Sequence, residues 1–237
     1  MARAGAVVLL AVALDAQPFW EKKPFAEWSK GDCERLLRDS PWASSYAFSR
    51  MAMAPIQQDR APGDDRAREN TSEVRYNVQL RSALPVRQAM VRLTQLSSAY
   101  QKLAPEQKKV TDQDAEKLLA ETFADVILVH VEYYTNIQGY EQTLNRQWQS
   151  RSVADLANNT FLIGARGGRI SPAKFRPGAG EFDLTFPRLV DGEPLLNARD
   201  KSLKVEFPHP AVGDVPGGRV VVEFRVNRMT VGGQVLY

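Results

Sequence analysis

Val74, Tyr76, Val78 and Leu80 alternate without a break with Arg75, Asn77, Gln79 and Arg81. Successive side chains of an extended strand point to opposite faces, so this stretch predicts a strand with one apolar and one polar face. Such a strand cannot stand alone, because its apolar face has to be covered by a second layer. The second half of the chain supplies that layer. Apolar stretches at 160–165, 170–175, 182–186, 203–207, 219–229 and 231–237 are separated by turn residues, the rhythm of an antiparallel sheet or sandwich. Residues 126–134 are rich in β-branched side chains and apolar on both faces apart from His130 and Glu132, which predicts a central strand. A looser alternation over 43–53 predicts one more strand, and the polar stretch 55–73 predicts a long loop after it.

Between the strands the period changes. Ser29 to Asp32 has the form of a capping box, and Cys33, Leu36 and Leu37 recur at helical spacing until Pro41 stops the run. Pro85 opens a second helix with Val86, Ala89, Met90, Leu93 and Leu96 on one face. A third is expected over 111–124, capped by Thr111 or Asp112 with Ala115, Leu118, Leu119 and Phe123 inward, and a fourth over 139–157 around Trp148. The expectation is therefore an α+β protein, mainly antiparallel sheet or β-sandwich, with helices inserted around residues 85–157 and packed on one side.

The apolar run 4–14 is about 11 residues long, too short for the roughly 20 that a membrane span needs. With Arg3 before it and the small Ala16 ahead of Gln17, it predicts a signal peptide over residues 1–16, followed by a single domain over 17–237 in which 160–237 forms a β-rich tail or subdomain. The expected location is periplasmic or extracellular, with no transmembrane segment in the mature chain.

Chemistry-bearing residues are scarce. One cysteine, Cys33, and two histidines, His130 and His209, rule out thiolate zinc centres, iron–sulfur clusters and internal disulfides. With 31 Lys+Arg against 28 Asp+Glu and no strongly basic block, a nucleic-acid partner is not expected either. His130 and Glu132 share a strand face, but two ligands do not make a metal site, and the plainer reading is a strand reaching the surface. His209 lies between Pro208 and Pro210, with Asp214 nearby, and reads as a surface-loop residue without a nucleophile. Gly164 to Gly168 resembles a phosphate loop, yet a strand follows rather than a helix, so a hairpin turn accounts for its glycines. The carboxylate pairs Asp64 with Asp65, Asp112 with Asp114, and Glu181 with Asp183 are available for acid/base work without any local sign of it. Cys33 reads as a small buried hydrophobe. Trp20, Trp28 and Trp42, with Phe19 and Phe25, read first as packing anchors, with a carbohydrate or peptide contact surface as the alternative.

The stretch from Trp28 to Ala43 fits the pattern W-S-x-x-D/E-x-x-x-L-L-x-x-S-P-W-A and resembles the opening of a group of uncharacterised exported bacterial proteins. The segments Leu80 to Ala89 and Met229 to Tyr237 are similar to that group as well. The resemblance implies export and a shared fold, and it carries no activity. Neither a catalytic residue nor a metal or cofactor is assigned. The functional expectation is a non-enzymatic exported binding or structural module of the cell envelope, engaging a protein, peptide or glycan. The alternative is a hydrolase using dispersed carboxylates.

Overall fold

The computed structural model describes residues 18–49, 71–165 and 168–237. The expected signal peptide and most of the expected 55–73 loop lie outside them. The alternation around Tyr76 does form a strand, β2 (Glu73–Leu80). It pairs on one side with β1 (Ala43–Ser49) and on the other with β3 (Val126–Thr135). From the tail, β6 (Lys174–Pro177) and β7 (Glu181–Pro187) complete an antiparallel sheet in the order β1-β2-β3-β7-β6, so β3 is central as expected. The rest of the tail builds a second antiparallel sheet, β11-β10-β4-β5, from β4 (Phe161–Ile163), β5 (Arg169–Ile170), β10 (Ser202–His209) and β11 (Gly218–Arg225). Two hairpins finish the set: β8 (Leu189–Val190) with β9 (Glu193–Pro194), and β12 (Thr230–Val231) with β13 (Gln234–Val235). The last turns on Gly232 and Gly233, both at positive φ (57° and 82°), which a side chain would strain.

The two sheets bury their apolar faces against one another. Tyr76 and Phe182 of the first sheet meet Phe207 of the second edge-on, with ring centroids 5.3 and 5.5 Å apart. Val74, Val78 and Leu80, Ile127, Val129 and Val131, and Leu184 and Phe186 share this interior. Their parity sends Asn77, Gln79, His130, Glu132, Glu181 and Asp183 to the opposite face.

Seven α-helices are described: α1 (Phe19–Lys22), α2 (Lys30–Arg38), α3 (Leu84–Leu96), α4 (Ser98–Gln101), α5 (Pro105–Ala120), α6 (Tyr140–Gln149) and α7 (Val153–Leu156). The Ser29 hydroxyl accepts from Asp32 N, and the Asp32 carboxylate accepts from Ser29 N, so α2 starts on the capping box its sequence specifies. α5 begins six residues earlier than its apolar spacing suggested, because Pro105 suits a first turn and the Gln107 side chain accepts from Ala104 N. No residue of α5 is fully buried, and Leu118 and Leu119 are only half-buried. The single helix expected over 139–157 is two, separated where Ser152 and Asp155 form a fresh capping box.

The helices do not share one side. Asn77 and Gln79 donate from the outer face of the first sheet to Leu37 O at the end of α2, and α3 packs on α2. α6 instead drives Leu144 and Trp148 into the interior, where the indole lies 4.3 Å from the Phe182 ring centroid. Trp28 and Trp42 are likewise buried, Trp42 Nε1 donating to Leu236 O and Trp28 Nε1 to Lys23 O. Trp28, Trp42 and Phe19 are therefore core, with Trp20 and Phe25 half-buried and packed against it.

Trp148→Ala removes the ring that joins Tyr76, Tyr133, Phe175, Phe182 and Phe207. It should lower stability by about 3–5 kcal/mol in chemical denaturation. Trp148→Phe should cost clearly less, since the indole nitrogen has no hydrogen-bond partner to lose.

Candidate functional site

On the outer face of the first sheet, two cross-strand pairs lie side by side. The register of β3 on β7 sets His130 opposite Asp183 and Glu132 opposite Glu181. His130 Nδ1 and Asp183 Oδ1 are 2.7 Å apart, and the imidazole is buried, with 1% of its surface exposed. A buried ring nitrogen bonded to an ionised carboxylate carries the proton, so Nδ1–H donates to Asp183 and fixes the ring. The second oxygen of Asp183 accepts from Arg176 Nε at 3.0 Å and from the other arm of the same guanidinium. His130 Nε2 makes no hydrogen bond, and Glu132 Oε1 and Glu181 Oε2 both lie 3.6 Å from it.

β2 and the turn that follows it supply the remaining partners. Asn77 donates to Glu132 Oε2 at 3.1 Å, and Arg81 lies 3.8 Å from Glu132 Oε1. Among the described residues Glu181 has no lysine or arginine within ion-pair distance; His130 is the partner at 3.6 Å, and Arg81 and Arg176 act on it from farther away. Glu132 and Glu181 are open to solvent, their side chains 42% and 52% exposed.

Burial alone would push the His130 pKa down. The bond to Asp183 and the nearby Glu132 outweigh it, and the net displacement is upward from 6.5. Burial would likewise raise Asp183, yet His130 and Arg176 bring it down to about 2. His130 beside Glu132 holds that carboxyl below its ordinary value against a smaller opposing effect of burial.

The candidates read from the sequence thus fall into two groups. His130, Glu132, Glu181 and Asp183, which the sequence offered as two unrelated pairs, converge. His130 is not a residue reaching the surface: it is buried, and only Glu132 emerges. Arg81, Arg176 and Asn77 were not anticipated; the signal that could have found them is their parity, polar positions on strands whose alternate residues are core. The others are dispersed. His209 is not on a surface loop. It ends β10 buried, shares a 2.8 Å hydrogen bond with the Tyr76 hydroxyl and stacks on Phe48 at 4.2 Å. Burial depresses its pKa from 6.5 to about 4, so it is neutral in the fold. Asp214 does not orient it but accepts from Tyr140 and Ser72. Asp112 accepts from the Tyr100 hydroxyl and Asp114 pairs with Lys117, both on α5. Burial raises the Cys33 thiol to about 11, which leaves it unreactive. β4 and β5 pair as the hairpin reading of Gly164 to Gly168 requires, although Arg166 and Gly167 lie outside the described residues, as do Asp64 and Asp65.

A shallow groove of about 220 Å³ lies between α3 and α5, lined by Met90, Val91, Thr94, Ala115 and Leu118 among others, on different elements from those that build the His130 cluster. Among the described residues no group of His, Cys, Asp and Glu stands ready to hold a metal ion. No helix among them is long and apolar enough to cross a membrane. No family model, curated protein or solved structure matches the chain.

The two histidines act on stability with opposite sign. An unfolded chain protonates His209 near pH 6.5 and the fold only near 4, so stability is lost as pH falls across that window. His130 is raised in the fold, so its contribution is complete below about pH 6.5 and is lost as pH rises through the folded value. Urea midpoints from pH 4 to 9 should therefore peak near neutrality. His209→Gln should flatten the acid limb and His130→Gln the alkaline one; limbs unchanged in these variants would contradict the assignment.

Proposed function

We propose that this chain is a non-enzymatic binding module, exported to the cell envelope, which engages a protein, peptide or glycan through the polar face of its five-stranded sheet. The observation that carries this reading is the openness of the His130 cluster. Its carboxylates converge, but Glu132 and Glu181 are half-exposed on a sheet face, whereas turnover of a small substrate draws on a concave, water-excluding site. Export rests on the apolar run 4–14 ahead of Ala16 and on the resemblance to exported bacterial proteins. The hydrolase reading draws on a real feature, since two carboxylates flanking an Asp–His pair is a constellation able to move protons. Among the described residues, the grooves at hand lie along α3 and α5 and not at this cluster.

Immobilised chain should retain a partner from envelope extract, and a Glu132→Gln, Glu181→Gln double variant of unchanged melting temperature should not. Equal retention by the double variant overturns the assignment of this face. Hydrolysis of a glycoside or ester that disappears in the same variant overturns the non-enzymatic reading.

A further inference from the structure

Glu132 and Glu181 stand directly opposite one another across the β3–β7 ladder, an arrangement of like charges that costs stability unless a cation sits between them. Beneath them the buried His130 Nε2 makes no hydrogen bond and faces both carboxylates at 3.6 Å. With Nδ1–H committed to Asp183, the ring in its neutral form turns a lone pair toward that gap. We propose that the gap between Glu132, Glu181 and His130 receives a primary ammonium group, the side chain of a lysine on a partner protein. This rests on the reading of the polar face as the contact surface and names the chemistry it selects.

The donor count favours an ammonium. A lysine head is a compact charge with three N–H donors, and three acceptors converge here, one from each of Glu132, Glu181 and the imidazole. A guanidinium prefers the two oxygens of a single carboxylate, and Arg176 and Arg81 already take the accessible edges of Asp183 and Glu132. The charge balance agrees. The groups facing the imidazole are Asn77 and Gln79 from β2, Arg81 from the turn after it, Glu132 from β3, Arg176 from β6, and Glu181 and Asp183 from β7. Three carboxylates face two guanidiniums, so whenever the ring is neutral one negative charge is left over, and Glu181 is the carboxylate with no arginine within ion-pair distance. Protonated His130 fills the same role internally. Binding of the ammonium therefore expels the imidazole proton.

The test uses the chain with capped octalysine, capped octaarginine and uncapped octaglycine as probes, followed by calorimetry and by the His130 ring-proton resonance. Octalysine should bind at pH 7.5, weaken at least tenfold at pH 5.5, and lower the pH at which His130 titrates. Glu181→Gln should weaken binding at least tenfold while leaving the melting midpoint unchanged or raised. Equal binding of octaarginine, binding of octaglycine through its terminal amine in place of octalysine, an unmoved His130 titration, or indifference to Glu181→Gln each overturns the proposal. So does stoichiometric zinc retained by these three side chains. If an envelope partner depends on Glu132 and Glu181 but octalysine does not bind, the ammonium assignment falls and the binding face stands.

Discussion

The antiparallel pairing of β3 with β7 is the contact on which both faces of the first sheet depend. Its register places Val131 against Phe182 and Val129 against Leu184 inside the sandwich, and with the same stroke His130 against Asp183 and Glu132 against Glu181 outside it. A slip of β7 by one residue would press Glu181 and Asp183 into the aromatic interior, expose Phe182 and Leu184, and leave His130 without its carboxylate. The Asp183–His130 hydrogen bond is the polar counterpart of that lock. It sits in a nearly dry place on the outer face, where an unmatched register would leave charges without partners.

From this pairing the rest of the molecule follows in layers. Phe182 and Tyr133 flank the Trp148 ring that α6 inserts, and Trp148 in turn reaches Phe207 of the second sheet. On the outer side Asn77 links Glu132 of the cluster to Leu37 O at the end of α2, so the helix and the charged site share one hydrogen-bonded side chain. The Trp28 carbonyl is held by Arg92 of α3, which ties the N-terminal aromatic cluster to the helices over this face. Glu132, Glu181 and Arg176 are the open members of this cluster, and that placement is the physical ground for reading the face as one that meets a partner.

Much of this architecture is legible in the sequence, because it is written in local rules. The alternation around Tyr76, the capping box at Ser29 and the proline that opens α3 all specify their elements without help from the rest of the chain. α5 was misplaced because Glu106 to Lys109 are good helix formers that carry no apolar periodicity to mark them. The site was only half legible. His130 with Glu132, and Glu181 with Asp183, are visible as polar positions on otherwise apolar strands, but His130 and Asp183 are separated by 53 residues and nothing local says that their strands are neighbours. His209 was misread for the same reason: two flanking prolines suggest a loop, while its burial comes from Phe48 and Tyr76 on the other sheet.

The central claim, that β3 and β7 are locked by a buried Asp–His bond which organises the outer face, is tested most directly by a double-mutant cycle of His130→Gln and Asp183→Asn in urea denaturation. The account predicts a coupling energy of roughly 1.5–3 kcal/mol, the range for a hydrogen bond to a charged group. Additive single-variant losses, with coupling indistinguishable from zero, would contradict it.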